Sequence, residues 1–397
     1  MPEAVIVDAV RTPIGRAVKG SLRHVRADDL ASVPLAALVE RNPEVDFAQV
    51  DDVMMGCGFG EGEQGYNVGR NAALLAGIDH HVPATTVNRF CASSLQTLRM
   101  AFHAIRAGEG DTYVAAGVEA ISRAAGGAAF EFHPKLDGSE GSLYNVYIPM
   151  GLTAENVAER CHVTREAQDE WAMISQNRAV QAQQDGHFDR EIVPVPAPAA
   201  RETTQDGEEV DVPAATVTRD DGPRPGTTME KLAQLRPVFK EDGTVTAGNA
   251  CPLNDGAAAA LVMSETRAQE LGLKPKVRIR ASAVAAIRPE VMGLGPIPAV
   301  RGVLEQAGMT MDDIDVIELN EAFAAQVVPC REEWGIDEER LNPFGGAIAL
   351  GHPFGMTGAR IMTTLINDLE TLDQSIGLET MCVAGGMGQA MIVERAS

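Results

Sequence analysis

Six cysteines and eight histidines are spread over the 397 residues of this chain, few enough for their surroundings to be informative. Cys91 stands in TTVNRFCASSLQTL, where a β-branched run gives way to a helical pattern. Backbone N–H groups at a helix start favour negative charge, so this thiol is expected to have a lowered pKa and to act as a nucleophile. His352 stands in NPFGGAIALGHPFGMTGAR, in a loop with glycines at 345, 346, 351, 355 and 358. An imidazole placed there has the properties of a general base for a thiol. The phosphate-binding spacings G-x-G-x-x-G and G-x-x-x-x-G-K-[ST] are absent from this loop. Cys382 precedes Gly385, Gly386 and Gly388 in TMCVAGGMGQAMIVE, a stretch able to turn N–H groups inward onto an oxyanion. Asn320 and Glu321 follow an apolar run in VIELNEAFAAQ. Each segment also has a structural reading: a packed cysteine, a polar loop histidine, a tight turn between strands, an asparagine helix cap. Together the four fit one reaction class. One thiolate is acylated, a second thiol exchanges a proton with a carbon atom or a leaving thiol, and the histidine and asparagine stabilise charge.

The elements that must position these groups follow from periodicity. Ala4 to Ala9, Thr85 to Val87 and Thr112 to Ala116 read as buried strands. Ala92 to Arg106 reads as a helix, with Leu95, Leu98, Phe102 and Ile105 at helical spacing and Gly108 as its stop. This is the rhythm of a layered α/β fold. Residues 121–248 break it with the run AAGGAA, a helical block from Thr153 to Asp185, and a Pro-rich polar stretch. The α/β pattern resumes near Thr246. A weak internal repeat pairs QVDDVMMG with DDIDVIEL, and YVAAGVEA with CVAGGMGQA. Val53 and Val316 lie 263 positions apart, and Val114 and Val383 lie 269 apart.

Composition narrows the function class. The formal net charge is −23, which repels nucleic acid and anionic membranes alike. An anionic ligand would need a local basic spot. No apolar run reaches the length of a membrane span, and the N-terminal stretch lacks signal-peptide features, so a cytoplasmic protein is expected. The closest cysteines are 34 residues apart, which suggests neither a zinc site nor a disulfide framework.

The blocks NRFCASSLQT, LNEAFAAQ, GGAIALGHPFGMTGAR and CVAGGMGQA, in that order and spacing, resemble the signature blocks of the thiolases. VRTPIGR, MGLTAENVAER and TAGNACPLNDGAAA match as well, and the resemblance covers essentially the whole chain. It implies two similar α/β units in five α-β-α-β-α layers: 1–120 with about 249–271, and 272–397. It also implies that 121–248 is an inserted loop domain that binds coenzyme A. Cys91 would be the acylated nucleophile, His352 its activator, Cys382 the acid/base toward carbon, and Asn320 the holder of an oxyanion-site water. The N–H groups of Cys91 and Ala384 would form a second oxyanion hole. Arg224, Lys231, Cys251, Met150 and Phe323 would contact coenzyme A or the acyl substrate.

Two positions depart from the family pattern. Cys251 replaces a common serine, and Ala384 replaces a common glycine whose left-handed backbone an alanine adopts poorly. CASS, FEFHPKL and Pro149 before Met150 lean toward degradative 3-ketoacyl-CoA thiolases of fatty-acid beta-oxidation rather than acetoacetyl-CoA thiolases, which typically carry a histidine at that proline. The resemblance implies no permanent cofactor or metal, coenzyme A as substrate, a homodimer or homotetramer, and in some members a hydratase/dehydrogenase partner. A ketoacyl synthase would use a second histidine or a lysine in place of Cys382. An inactive lipid carrier of this fold would have lost Cys91, His352 or Cys382.

Overall fold

The computed structural model describes residues 1–124, 131–203, 206 and 208–396. The AAGGAA run, beyond Ala124, lies outside the described residues.

Nine strands build the central sheet: β1 (Ala4–Arg11), β2 (Asp52–Gly56), β3 (Ala84–Val87), β4 (Thr112–Ala120), β5 (Asn254–Ser264), β6 (Val277–Ala286), β7 (Val316–Leu319), β8 (Ile376–Val383) and β9 (Met387–Arg395). A tenth, Gly15–Arg16, adds two residues against β5. The order is β7-β8-β9-β6-β1-β5-β4-β2-β3. Its two halves meet at β1 and β6 through only two residue pairs, Val5 with Arg278 and Ile6 with Val277. Read outward from that seam, β1-β5-β4-β2 and β6-β9-β8-β7 run in the same order. In each, the last two strands are parallel. The register corrects one sequence expectation. Val53 pairs with Val114 and Val316 with Gly377, so one spacing of 263 positions relates both strand pairs. The counterpart of Val114 is therefore Gly377, not Val383.

Helices fill three layers. Val5, Val7 and Val10 of β1 pack against Leu30, Leu35 and Leu38 of α1 (Ala27–Arg41), with Val68 and Ala72 of α2 (Val68–Leu75). Ile6 and Val262 from one half-sheet, and Met381, Val383, Met391 and Val393 from the other, close on α3 (Ser93–Ala107) from both sides. A second helix shares this layer through Ile361, Leu365 and Leu369. Leu378, Ala390 and Ile392 face the opposite way, toward α6 (Pro296–Ala307) and α7 (Ala324–Trp334). The outcome is α-β-α-β-α. The second central helix, α8 (Thr357–Thr371), is buried at every residue from Thr357 to Leu369, because a helix between two sheets has no solvent face.

The chain leaves the sheet at Ala120 and re-enters at Asn254, and the described residues between add no strand to it. The single helical block read there is two helices, α4 (Met150–Cys161) and α5 (Arg165–Gln184). They part at His162, which takes φ 56°, after which Thr164 accepts a hydrogen bond from Ala167 N and starts the second. Arg11 ties this region to β1. Its fully buried guanidinium binds Glu191 at 2.8 Å and Asp220 at 2.8 Å. No helix of the described residues is long and apolar enough to cross a membrane.

Candidate active site

Cys91 lies between β3 and α3, in a single tight turn, Phe90–Ala92. Phe90 takes φ 44°, a left-handed conformation uncommon for a bulky residue. Ser93 holds it: its hydroxyl donates to Phe90 O at 2.6 Å and accepts from Arg89 N at 2.9 Å. The N–H groups of Ala384 and of Cys91 itself both meet the Cys91 sulfur. The expectation of a lowered thiol pKa is corrected here. Burial pushes the thiol up to about 11, and outweighs the two N–H groups that pull it down.

Ala384 follows β8, and the left-handed positions of that turn are Gly385 at φ 80° and Gly386 at φ 81°. Ala384 is not among the left-handed residues, so the expected conflict at this alanine does not arise. A side chain at Gly386 would lie 2.4 Å from Ile287 O, so a glycine is required there.

His352 is set by three hydrogen-bonding contacts. Its N–H donates to Asn254 Oδ1 at 3.0 Å. Gly351 before it takes φ 116° directly against the Asn254 amide, where a Cβ would collide. His352 Nδ1 lies 2.6 Å from Thr357 Oγ1, and that hydroxyl donates to Pro353 O at 2.7 Å. The threonine proton being used, Nδ1 must be the protonated nitrogen and Nε2 the free acceptor. Asn320 Nδ2 donates to Nε2 at 3.3 Å, which agrees with this tautomer. Burial pushes the imidazole down to about 3, so it is neutral at physiological pH.

The helix-cap reading of Asn320 is replaced: α7 begins at Ala324, capped by the backbone of Phe323. Gln326 in its first turn donates from Nε2 to Asn320 O at 3.2 Å, and its Oε1 lies 2.9 Å from Cys382 Sγ. One hydrogen-bonded path therefore runs Cys382, Gln326, Asn320, His352, Thr357. Burial and the nearby Cys91 push the Cys382 thiol well above its ordinary range.

Met150, Phe323, Cys251 and Cys382 share one cluster. Burial and the Cys91 sulfur both push the Cys251 thiol up. Ala250 and Pro252, flanking it, line a pocket of about 300 Å³ together with Arg224, Lys231 and Arg16. Burial lowers the Arg224 pKa, and Arg16 nearby lowers it further. Among the described residues, none of these three cations forms an ion pair with an acid. This is the local basic spot that an anionic ligand on so acidic a chain would need.

Sequence reading missed Gln326, Thr357, Asn254, Arg16 and Glu119. Glu119 accepts from Gly58, Phe59 and Gly355 N–H groups at 2.8, 3.2 and 2.9 Å, pinning the His352 loop to the first half of the fold. An acid closing the otherwise apolar YVAAGVEA was the available signal. Behind the site, Glu318 and Glu379 are cross-strand partners facing the fully buried Arg360 of α8, with Glu318 at 3.9 Å.

The chain matches the thiolase N-terminal domain over residues 4–266 and the thiolase C-terminal domain over 273–395. It is 47% identical, over the full length of both chains, to a protein of Acinetobacter baylyi named beta-ketoadipyl-CoA thiolase. It is also 47% identical, again over full length, to a 3-ketoacyl-CoA thiolase of Idiomarina loihiensis. The crystal structure of Bacillus anthracis acetyl-CoA acetyltransferase superposes with a TM-score of 0.87 at 38% identity, covering 100% of this chain and 99% of that one. The chain belongs to the thiolase family and is an acyltransferase enzyme.

Proposed function

We propose that this enzyme cleaves 3-ketoacyl-CoA with coenzyme A, giving acetyl-CoA and a shortened acyl-CoA, in fatty-acid beta-oxidation. The observation that carries the reading is the hydrogen-bonded path from Cys382 through Gln326 and Asn320 to His352, with Cys91 near enough to raise the Cys382 thiol. The Cys91 sulfur attacks the 3-keto carbon while its proton passes to His352 Nε2. The bond between C2 and C3 breaks, its electron pair becomes the enolate of acetyl-CoA, and C2 takes the proton of Cys382. Coenzyme A then gives its thiol proton to Cys382 and attacks the acyl-Cys91 thioester, and His352 returns its proton as Cys91 departs. Asn320 holds a water that, with His352, stabilises one oxyanion. The N–H groups of Cys91 and Ala384 stabilise the other.

Residues 121–248 form the part that receives coenzyme A, with Arg16, Arg224 and Lys231 toward its phosphates and Met150, Phe323 and Cys251 along the pantetheine and acyl path. The units 1–120 with about 249–271, and 272–397, carry the catalytic groups. The enzyme works in the cytoplasm as a homodimer or homotetramer. The sheet edge β3 and the exposed Tyr66, Leu74 and Leu75 offer a surface for self-association. Pro149, at the start of α4, leaves no imidazole where acetoacetyl-CoA specialists carry one.

The name of one 47% relative favours a second substrate class, in which the acyl chain ends in a carboxylate. The test is the CoA-dependent cleavage rate across short, medium and long 3-ketoacyl-CoAs and a carboxylate-ended analogue, with Cys91→Ser as blank. Turnover that rises with neutral chain length supports the degradative reading. Preference for the carboxylate-ended chain supports the second, and activity confined to acetoacetyl-CoA refutes both.

A further inference from the structure

Gln326 is a polar side chain held in a single orientation beside Cys382. It is 1% exposed. Asn320 O can only accept a hydrogen bond, so the group facing it must be the amide Nε2, as found at 3.2 Å. Oε1 is thereby turned to Cys382 Sγ, 2.9 Å away. The loop at Gly293 packs closely against this side chain, with room for no more than a glycine beside Gln326 Cβ. A carbonyl oxygen accepts from a thiol but offers no donor to a thiolate. The contact therefore suits Cys382 in its protonated form and fixes where its proton points.

We propose that Gln326 is the positioning residue of the carbon-protonation step, holding Cys382 as a thiol until the enolate forms. This rests on the acid/base reading of Cys382. As the C2–C3 bond breaks, the enolate carbon takes the Cys382 proton. The S–H bonding pair stays on sulfur, and the thiolate so formed, facing a carbonyl with no donor, is short-lived. It takes the thiol proton of the incoming coenzyme A, and the Gln326 contact re-forms. The same amide grips Asn320 O, so the acid and the oxyanion residue are held in one mutual geometry.

The experiment separates the two half-reactions. Exchange of labelled coenzyme A with acyl-CoA needs Cys91 and His352, whereas exchange of acetyl-CoA methyl protons with D2O needs Cys382. Gln326→Met, which removes the acceptor at little change of volume, should slow methyl exchange and overall cleavage about tenfold or more, as expected for a buried donor left unpaired. Thioester exchange, in which Cys382 only takes up the coenzyme A thiol proton, should fall much less. Gln326→Glu keeps an acceptor oxygen and adds negative charge, so the alkaline rise of methyl exchange should move to higher pH. Equal losses in both exchanges for Gln326→Met, or an unmoved pH profile for Gln326→Glu, would overturn the proposal. Cys382→Ser is the control. If it exchanges methyl protons at the wild-type rate, the reading of Cys382 itself fails, and if it does not while Gln326→Met does, only the role of Gln326 fails.

Discussion

Thr357→Val isolates the tautomer of His352. The change conserves shape and touches neither Cys91 nor the coenzyme A pocket. It removes the oxygen that accepts from His352 Nδ1 at 2.6 Å, in a place where His352 is 1% exposed and no water competes. A buried donor left without its acceptor costs about 1–3 kcal/mol. That cost falls on the tautomer with its proton on Nδ1, which is the one whose Nε2 can take the Cys91 proton. At about 1.4 kcal/mol per factor of ten, the reactive tautomer becomes roughly 5- to 150-fold less favoured. The Asn320 Nδ2 donor still favours a free Nε2 and moderates the loss. We expect single-turnover acylation of Cys91, followed by stopped flow, to slow about 10- to 100-fold, with unfolding free energy down by no more than about 3 kcal/mol. Thr357→Ser, which keeps the oxygen, should recover most of the rate. Acylation at the wild-type rate in Thr357→Val, or an equal loss in Thr357→Ser, would refute the reasoning.

Stability should fall at both pH extremes for different reasons. His352 is held down to about 3 in the folded state, so the unfolded chain binds more protons as pH drops below about 6.5, and stability is lost through that window. Cys91 is pushed up to about 11, so stability is lost as pH rises above the ordinary thiol range, and Cys91→Ala should remove that part of the alkaline fall in a Tm series. Alkylation of Cys91 by iodoacetamide should climb with pH toward about 11, and a plateau near neutrality would show an ion pair with His352 instead. Arg224→Met and Arg16→Met should each raise KM for coenzyme A severalfold and leave kcat nearly unchanged, since these cations would hold the ligand's phosphates and take no part in the bond-making steps. Arg360→Met should cost about 3–5 kcal/mol by stranding buried carboxyl groups. Adding Glu379→Gln should restore part of that loss in a denaturant-melt double-mutant cycle, and strict additivity would count against their coupling.

Local chemistry was legible where side chain and spacing act alone. The strand read over Ala4 to Ala9, which runs on to Arg11, and the helix ended by Gly108 follow from an apolar run and from a left-handed stop, and both are present in the structure. The repeat was visible through Val53 and Val316, but its second half was misaligned, because alanine and glycine match by chance and only hydrogen-bonded register fixes a strand partner. The separation of α4 and α5 depended on one left-handed residue, His162, that no hydrophobic period reports.

For the site, the sequence by itself determined the candidate set: two cysteines, a glycine-embedded histidine and an asparagine, each at the end of a strand or beside a tight turn. Tertiary structure alone decided their states. Burial between layers overrode the helix-start effect and raised the Cys91 thiol, because removing water from a charge outweighs two N–H contacts. It also chose the His352 tautomer, through a threonine five residues on, and gave Gln326 and Glu119 partners that their segments do not announce. Those roles depend on distances across separate loops, which no spacing along the chain encodes.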